Sequence, residues 1–165
     1  MAGLPRDPHP QLQHVADESR AGGLPHVSPE TGALLHMLVR ATGAARILEI
    51  GTGLGYATLW LATALPQDGM LISMEIDPGR AARARAHLAA AGLADRVSVM
   101  VGDAARFLHK VAGPFDLVFE DCAAPLDPPL LDRLAALLRP GGLFITHHPH
   151  PPLGNGVAVS VKVNA

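Results

Sequence analysis

Short apolar runs alternate along this chain with longer Ala- and Leu-rich stretches, and glycine, proline or aspartate separates them. Apolar runs of about four to eight residues are typical of buried strands. Five such runs occupy residues 46–50, 70–75, 97–101, 115–119 and 143–146. The segments between them have the length of helical crossovers, roughly a dozen residues or more, which join parallel strands. The pattern therefore predicts a doubly wound α/β fold with five parallel strands and helices on both faces.

Helix-start signals precede most of the intervening stretches. Ser28 is followed by a proline and an acidic residue, and apolar residues then recur at helical spacing until Gly43. An aspartate followed by proline, at Asp77 and again at Asp127, predicts two further helix starts. We expect helices over 11–21, 29–42, 56–65, 78–91 and 128–138, with a further helix beginning after Asp103.

The final apolar run, residues 157–163, predicts a sixth strand. The loop before it, residues 149–156, is too short for a crossover, so this strand must pair antiparallel with the fifth. We expect one domain over residues 1–165. It comprises a polar lead-in at 1–22, a core at 23–147 and a terminal hairpin at 148–165.

Composition narrows the class of protein. A chain of 165 residues with 48% hydrophobic and 17% charged residues has enough apolar surface for one packed core. The net charge of −2 and the absence of a long basic run argue against nucleic acid as a partner. Cys122 is the single cysteine, so no intrachain disulfide forms. Without a secretory signal or an apolar stretch of about 20 residues, we expect a soluble cytoplasmic protein with no membrane partner.

A glycine-rich turn, E-I-G-T-G-L-G-Y at residues 49–56, follows the first strand. Glycines at Gly51, Gly53 and Gly55 allow a sharp bend and a close approach of the backbone to a ligand. In open α/β sheets ligands bind beyond the carboxyl ends of the strands, which is where this turn lies. The spacing differs from G-x-G-x-x-G, which argues against a nicotinamide-dependent oxidoreductase. A turn with no ligand remains the alternative.

Acidic residues end the next two strands. Glu75 lies 24 residues after Gly51, a position from which a carboxylate accepts both hydroxyls of a ribose, and this predicts a nucleoside ligand. Asp77 is expected to cap the following helix, which leaves Glu75 free for the ligand. Asp103 either accepts a hydrogen bond from an exocyclic amine or only caps its own helix.

Five segments carry a resemblance to a known family: LEIGTGLGYATLWLA, LISMEIDP, DRVSVMVGDA, GPFDLVFED and LLRPGGLFI. Together they resemble the class I S-adenosylmethionine-dependent methyltransferases, whose fold is Rossmann-like. More narrowly they are similar to the small-molecule O-methyltransferases of the catechol and caffeoyl-CoA type. The segment GLPHVSPET at residues 23–31 resembles the element by which that family closes over its cofactor. The resemblance implies S-adenosylmethionine as the cofactor.

The resemblance also implies roles for individual residues. Glu49 would bind the methionine amino group, Glu75 the ribose, and Asp103 with Ala104 would border the adenine. Further cofactor contacts are implied for Val27, Ser28, Gly51, Gly53, Gly55, Tyr56, Thr58, Ile76 and Asp121. The family often has serine directly after the tyrosine, whereas this chain has Ala57 there and Thr58 next.

The acceptor side departs from the family pattern. Where the family commonly has F-I-D-A-D-K, with a metal-binding aspartate and a catalytic lysine, residues 119–124 read F-E-D-C-A-A. Asp121 keeps the first aspartate, but alanines replace the second acid and the lysine. Two further ligands usually follow the fifth strand, and here His147 and His148 stand there. Asp121, His147 and His148 would suit zinc, iron or manganese better than magnesium.

That ligand set has a geometric condition. Adjacent residues on a strand point to opposite faces, so both histidines can bind one ion only if the chain has left the strand by Pro149. The alternative is a solvent-facing turn without an ion. In that case His148 or His150 is a candidate general base beside Asp121. We interpret Cys122 as a small buried residue rather than a nucleophile.

These patterns leave two functions open. The first is methyl transfer from S-adenosylmethionine to a hydroxyl oxygen of a small molecule. The second is a binding protein for S-adenosylmethionine without methyl transfer, which the missing lysine and acid favour. The family also has a helix and a strand before its last strand, where this chain has only residues 149–156. The shortened wall either leaves the site open or leaves it to be completed by a second subunit in a homodimer.

Overall fold

The computed structural model describes residues 7–122, 126–148 and 156–163. Its helices are α1 (Gln11–Ala21), α2 (Pro29–Thr42), α3 (Tyr56–Ala64), α4 (Pro78–Ala90), α5 (Ala104–Phe107) and α6 (Pro128–Leu137), with a 3-10 turn at Leu108–Lys110. Its strands are β1 (Arg46–Ile50), β2 (Met70–Glu75), β3 (Val97–Val101), β4 (Phe115–Glu120), β5 (Leu138–His148) and β6 (Gly156–Val161). None of the helices described is both long and apolar enough to cross a membrane.

The six strands form one sheet in the order β3-β2-β1-β4-β5-β6. Strands β1 to β5 are parallel to their neighbours, and β6 runs antiparallel to β5. This arrangement confirms the predicted fold. The strand order reverses between β1 and β4, so a crevice opens at the carboxyl ends of these two strands.

Helices cover both faces of the sheet, as predicted. On one face, apolar residues of α1 to α4 pack together with inward-facing residues of the strands, and the large side chains of Trp60 and Phe119 are fully buried there. On the other face, Leu108 and residues of α6 such as Leu134 pack with Phe115 and Val118. The parallel strands are therefore buried from both sides, which explains their nearly unbroken apolar runs.

The fifth strand is longer than the sequence pattern indicated. A turn was expected at residues 139–142, but β5 begins at Leu138, directly after α6. Phe115 pairs with Leu138 and Leu117 with Leu143, so β5 bulges between these two pairs. Backbone hydrogen bonds between Lys162 and the glycines at 141 and 142 extend the ladder of the terminal hairpin. The residues expected to form a turn therefore belong to the sheet, because they pair with residues distant in sequence.

Candidate functional site

A cavity of about 630 Å³ lies at the carboxyl ends of the parallel strands, within the size range of a small-molecule site. The glycine-rich turn and the ends of β1 and β2 form one part of its wall, and the ends of β4 and β5 form another. The segment from Leu24 to Ser28 and the first turn of α2 also line it. The cavity therefore lies where the reversal of strand order predicts a ligand.

Four N–H groups of the glycine-rich turn already donate hydrogen bonds within the protein. The N–H groups of Gly51 and Thr52 donate to the carbonyl of Met74, and the N–H of Gly55 donates to the carbonyl of Thr52. The N–H of Gly53 donates to Oε2 of Glu75 at 2.8 Å. A pyrophosphate bound at a glycine-rich turn needs free amide donors, and these four are already engaged. The engagement of these four donors argues against a pyrophosphate at the turn.

Gly51 cannot be replaced without strain. Its φ is +100°, and a Cβ atom built on it would lie 2.5 Å from the backbone oxygen of Asp121. We expect Gly51→Ala to lower the free energy of unfolding by roughly 2–3 kcal/mol, because strain and steric overlap add. Gly43→Ala is the control, since Gly43 has φ +64° but no atom within 4 Å of such a Cβ. Urea denaturation should show the smaller loss for Gly43→Ala, and equal losses would contradict the steric argument.

Glu75 is buried at the end of β2, where its carboxylate is heavily engaged. Arg80 donates to Oε1 from Nε at 3.0 Å and from a terminal nitrogen at 2.7 Å. The N–H of Asp77 also donates to Oε1, while the N–H of Gly53 donates to Oε2. The expectation that Glu75 is free was therefore wrong. Glu75 nevertheless lines the cavity, and its ribose contact stays a prediction.

The expected helix caps at the ends of β2 and β3 are present. Asp77 accepts a hydrogen bond from the N–H of Arg80 at 2.7 Å, and Asp103 accepts one from the N–H of Ala105 at 2.9 Å. Asp103 and Ala104 also line the cavity. Ile76 lies beside them with 65% of its surface exposed, which makes it an apolar surface at the cavity mouth. Capping therefore leaves the adenine role of Asp103 open.

Val27, Ser28 and Tyr56 border the cavity on the side of α2 and α3. Val27 and Tyr56 are buried, and the ring of Tyr56 lies 4.6 Å from the ring of His26 between centroids. Ser28 caps α2 by accepting a hydrogen bond from the N–H of Thr31. The contact between His26 and Tyr56 joins the segment before α2 to the start of α3. His26 belongs to the segment GLPHVSPET but was not itself predicted as a site residue.

Glu49 lies behind the cavity wall and is fully buried. Its Oε2 accepts hydrogen bonds from the hydroxyls of Thr58 at 2.6 Å and Ser73 at 2.5 Å. Its Oε1 has no hydrogen-bond partner among the described residues. The pKa of Glu49 is raised to about 8, chiefly by burial and in part by the nearby charges of Asp121 and Glu75. The two hydrogen bonds act in the opposite direction and lower this pKa. The structure thus contains a buried carboxyl group with no cation beside it.

Two residues expected to contact the cofactor have other neighbours. Thr58 does not line the cavity, and its hydroxyl positions Glu49. Gly55 lies at the start of α3, where a Cβ would be 3.5 Å from Ala84 of α4, so it permits close helix packing. Ser73, the second hydroxyl partner of Glu49, was not predicted as a site residue. A serine within the apolar strand M-L-I-S-M-E is the sequence signal that could have indicated it.

Asp121 and His147 form a pair at the ends of β4 and β5. Oδ1 of Asp121 lies 2.8 Å from Nδ1 of His147, and both residues line the cavity. The His147 side chain is 8% exposed and that of Asp121 is 21% exposed. A carboxylate that holds one ring nitrogen of a buried histidine fixes the tautomer and orientation of the imidazole. The structure thus brings together two of the residues expected at the acceptor side.

The described residues at this end do not make up a metal site. Asp121 and His147 supply two donors, and no third described His, Cys, Asp or Glu side chain lies close enough to complete a set. Strand β5 continues through His148, which pairs with Gly156, so the chain has not left the strand before the second histidine. His148 as ligand or base stays a prediction, and His150 lies outside the described residues.

Cys122 follows Asp121 and lines the same cavity in a half-buried position. Burial raises the pKa of its thiol to about 12, and the adjacent carboxylates of Glu120 and Asp121 act in the same direction. A thiol with such a pKa stays protonated near neutral pH and is a poor nucleophile. This agrees with the interpretation of Cys122 as a packing residue.

The sequence model of the O-methyltransferase family matches residues 10–150. The chain belongs to this family. A catechol O-methyltransferase of Niastella koreensis is 40% identical over 123 residues, which are 72% of this chain and 56% of that protein. A catechol O-methyltransferase of Mycobacterium tuberculosis is 39% identical over 139 residues, 82% of this chain and 63% of that protein. The chain therefore spans less than two-thirds of these curated relatives.

Solved structures of O-methyltransferases share the fold. TomG from Streptomyces achromogenes, in complex with SAM, superposes with a TM-score of 0.81 and is 38% identical, over 88% of this chain and 67% of TomG. The O-methyltransferase from Bacillus cereus, in complex with SAH, gives a TM-score of 0.80 at 36% identity, over 88% of this chain and 68% of that structure. The family fold is therefore present in a chain shorter than these proteins.

Proposed function

We propose that the chain binds S-adenosylmethionine in the cavity and transfers its methyl group to a hydroxyl oxygen of a small molecule. One observation carries this proposal: a single cavity joins the glycine-rich turn and Glu75 to the Asp121–His147 pair. Family membership supports it, as do the related structures in complex with SAM or SAH. Two relatives named catechol O-methyltransferase favour an aromatic diol as the acceptor class.

The charges around the cavity favour a cationic cofactor. The acidic residues Glu75, Asp103 and Asp121 line it. The single Arg or Lys among the described lining residues is Arg80, which is already paired with Glu75. S-adenosylmethionine has a sulfonium, an ammonium and a carboxylate group and so a net positive charge, whereas a dinucleotide has a negatively charged pyrophosphate. Carboxylates stabilise the first ligand and repel the second.

Residues of the chain would hold each part of this cofactor. Glu75 would hold the ribose, Ile76 and Asp103 would border the adenine, and Val27 would lie at the methionine end; all four line the cavity. The orphaned Oε1 of Glu49 supports a cationic amino group nearby, since that atom lacks a donor among the described residues. When bound, S-adenosylmethionine supplies a methyl group on a positively charged sulfur that leaves as a neutral thioether.

His147 is the base that we propose at the acceptor end. Ionised Asp121 can only accept a hydrogen bond, so the hydrogen of His147 lies on Nδ1 and Nε2 has a free lone pair. The acceptor oxygen donates an electron pair to the methyl carbon and gives its proton to Nε2, while the bond from carbon to sulfur breaks. Asp121 stabilises the imidazolium that results. This pair replaces the lysine that the family pattern would place at residue 124, which is an alanine here.

Calorimetric titration with S-adenosylmethionine, together with a methyl-transfer assay on a panel of catechols in the presence of a chelator, tests the proposal. We expect binding and chelator-resistant turnover, with no binding of NAD. Binding without turnover on any hydroxyl acceptor would favour the non-catalytic binding protein. Absence of S-adenosylmethionine binding would overturn the proposal.

The ribose contact at Glu75 has its own test. Glu75→Ala should weaken binding of S-adenosylmethionine by roughly 1–3 kcal/mol, the cost of leaving ribose hydroxyls without an acceptor. Adenosine and 2′,3′-dideoxyadenosine are matched competitors that differ only in those hydroxyls. Wild-type protein should prefer adenosine, and Glu75→Ala should bind both equally. A preference that survives in Glu75→Ala would contradict the ribose assignment, whatever the change in overall affinity.

A further inference from the structure

Outside the cavity, helices α1 and α4 bring together a cluster of metal-ligating side chains. His14 and Glu18 lie one turn apart on α1, and His87 lies opposite them on α4. Nε2 of His87 is 3.1 Å from Oε2 of Glu18, and Nε2 of His14 is 3.8 Å from the same oxygen. One ligand atom from each of the three residues lies within 4.8 Å of the other two. None of the three lines the cavity.

His87 is oriented as a histidine ligand would be. It is 3% exposed, and its Nδ1 lies 2.8 Å from the carbonyl oxygen of Leu54 in the glycine-rich turn. Because a carbonyl can only accept, Nδ1 carries the hydrogen and donates it. Metal-ligating histidines commonly donate their second ring N–H to a carbonyl in this way. Nε2 of His87 then faces a carboxylate oxygen of Glu18, so either a proton on Nε2 or a cation must lie between the two atoms.

We propose that His14, Glu18 and His87 bind a divalent transition-metal ion, for which Zn²⁺ is the best match, and that the ion clamps α1 to α4. Two imidazoles and a carboxylate are a ligand set that zinc accepts, with a fourth position left for water. Ligand atoms about 2.1 Å from a tetrahedral zinc ion lie about 3.4 Å from one another. The separations of 3.1 and 3.8 Å are close to that value. This inference does not depend on methyl transfer.

Arg83 pairs with Glu18 and would compete with the proposed ion for its carboxylate. A variant of Arg83 therefore tests the proposal. The guanidinium of Arg83 donates to both oxygens of Glu18, at 2.8 and 2.6 Å. This hydrogen bond is the largest cause that lowers the pKa of Glu18 to about 2, and it keeps the carboxylate ionised. With an ion present, one carboxylate oxygen would remain with Arg83 and the other would bind the metal. Removal of the competing positive charge should therefore tighten metal binding.

The experiment is a calorimetric titration of metal-stripped full-length protein with Zn²⁺, repeated with Co²⁺ to record the visible absorption of the bound ion. We expect one equivalent to bind, with an affinity that falls at least about tenfold in His14→Ala and rises about tenfold in Arg83→Ala. His14 is exposed on α1, so its replacement leaves the core intact. At the same Zn²⁺ concentration, the melting temperature of wild-type protein should rise more than that of His14→Ala.

Two histidine variants serve as controls. His109→Ala removes an exposed histidine outside the cluster, and His147→Ala removes the histidine paired with Asp121. Both should bind Zn²⁺ as wild type does. Zinc binding that persists in His14→Ala but disappears in His147→Ala would place the ion at the cavity and overturn the proposal. Absence of binding in both wild type and Arg83→Ala would also overturn it and leave a simple ion-pair cluster.

Discussion

Replacement of His147 with alanine is expected to lower the turnover number about 10²–10⁴-fold, the usual contribution of a general base. The reason is that Nε2 of His147, held in place by Asp121, is the proposed acceptor of the hydroxyl proton. The affinity for S-adenosylmethionine should change little, because none of the residues proposed above to hold the cofactor lies on β5. Steady-state kinetics with a catechol acceptor, combined with calorimetry, would measure both quantities.

The pH profile distinguishes loss of a base from general damage. Without His147, the acceptor must lose its proton to solvent, so the residual rate should rise with pH toward the acceptor's own pKa, about 10 for a phenol. His109→Ala, an exposed replacement away from the cavity, should keep the wild-type profile. A wild-type turnover number in His147→Ala would remove His147 from the mechanism.

Replacement of Glu49 with glutamine is expected to stabilise the cofactor-free protein at high pH by roughly 4 kcal/mol, with little effect at low pH. The Glu49 pKa is about 8 in the folded protein, above the ordinary value of 4.5. Between those values the unfolded chain has released its proton while the folded protein retains it. Stability of the wild type must therefore fall as pH rises from 4.5 towards 8. Glutamine cannot ionise, so the variant escapes this loss.

Urea denaturation at about pH 5 and about pH 9 would measure the difference. Glu30→Gln serves as the control, because Glu30 is exposed in the first turn of α2 and its pKa is lowered rather than raised. S-adenosylmethionine should reduce the loss in wild type, since its positive charges favour ionised Glu49. Equal pH dependence in wild type and Glu49→Gln would contradict the buried, neutral carboxyl group.

The fold was predictable because its signals are local. Strands β1 to β4 begin and end within about one residue of their expected bounds. The helix starts at Asp77 and Asp127 were also predictable, because a capping side chain bonds to residues that follow it directly in sequence. The exception is β5, whose first residues were expected to form a turn. They join the sheet because Phe115 and Lys162 supply hydrogen-bond partners from distant parts of the chain. The local sequence pattern contains no information about such distant partners.

The candidate site was predictable in position and less so in its contacts. Strand-tip residues such as Glu75 and Asp121 line the cavity as the fold requires. The capture of Glu75 by Arg80 and the pairing of Asp121 with His147 depend on side-chain directions after folding. The pairing of His147 with Asp121 depends on the register of β5, because side chains alternate along a strand. Sequence spacing could not choose between His147 and His148.

The strand order has an evolutionary consequence. Groups proposed to bind the cofactor lie at the tips of β1, β2 and β3, and groups proposed to activate the acceptor lie at the tips of β4 and β5, across the reversal of the sheet. The glycine-rich turn completes its hydrogen bonds with β2, and at the tip of β4 Gly51 packs against the backbone of Asp121 rather than against a side chain. Mutations at the tips of β4 and β5 can therefore change the acceptor chemistry without replacing the residues proposed to bind the cofactor. Alanines in place of the family acid and lysine, with histidines one strand away, are the outcome that such drift would leave.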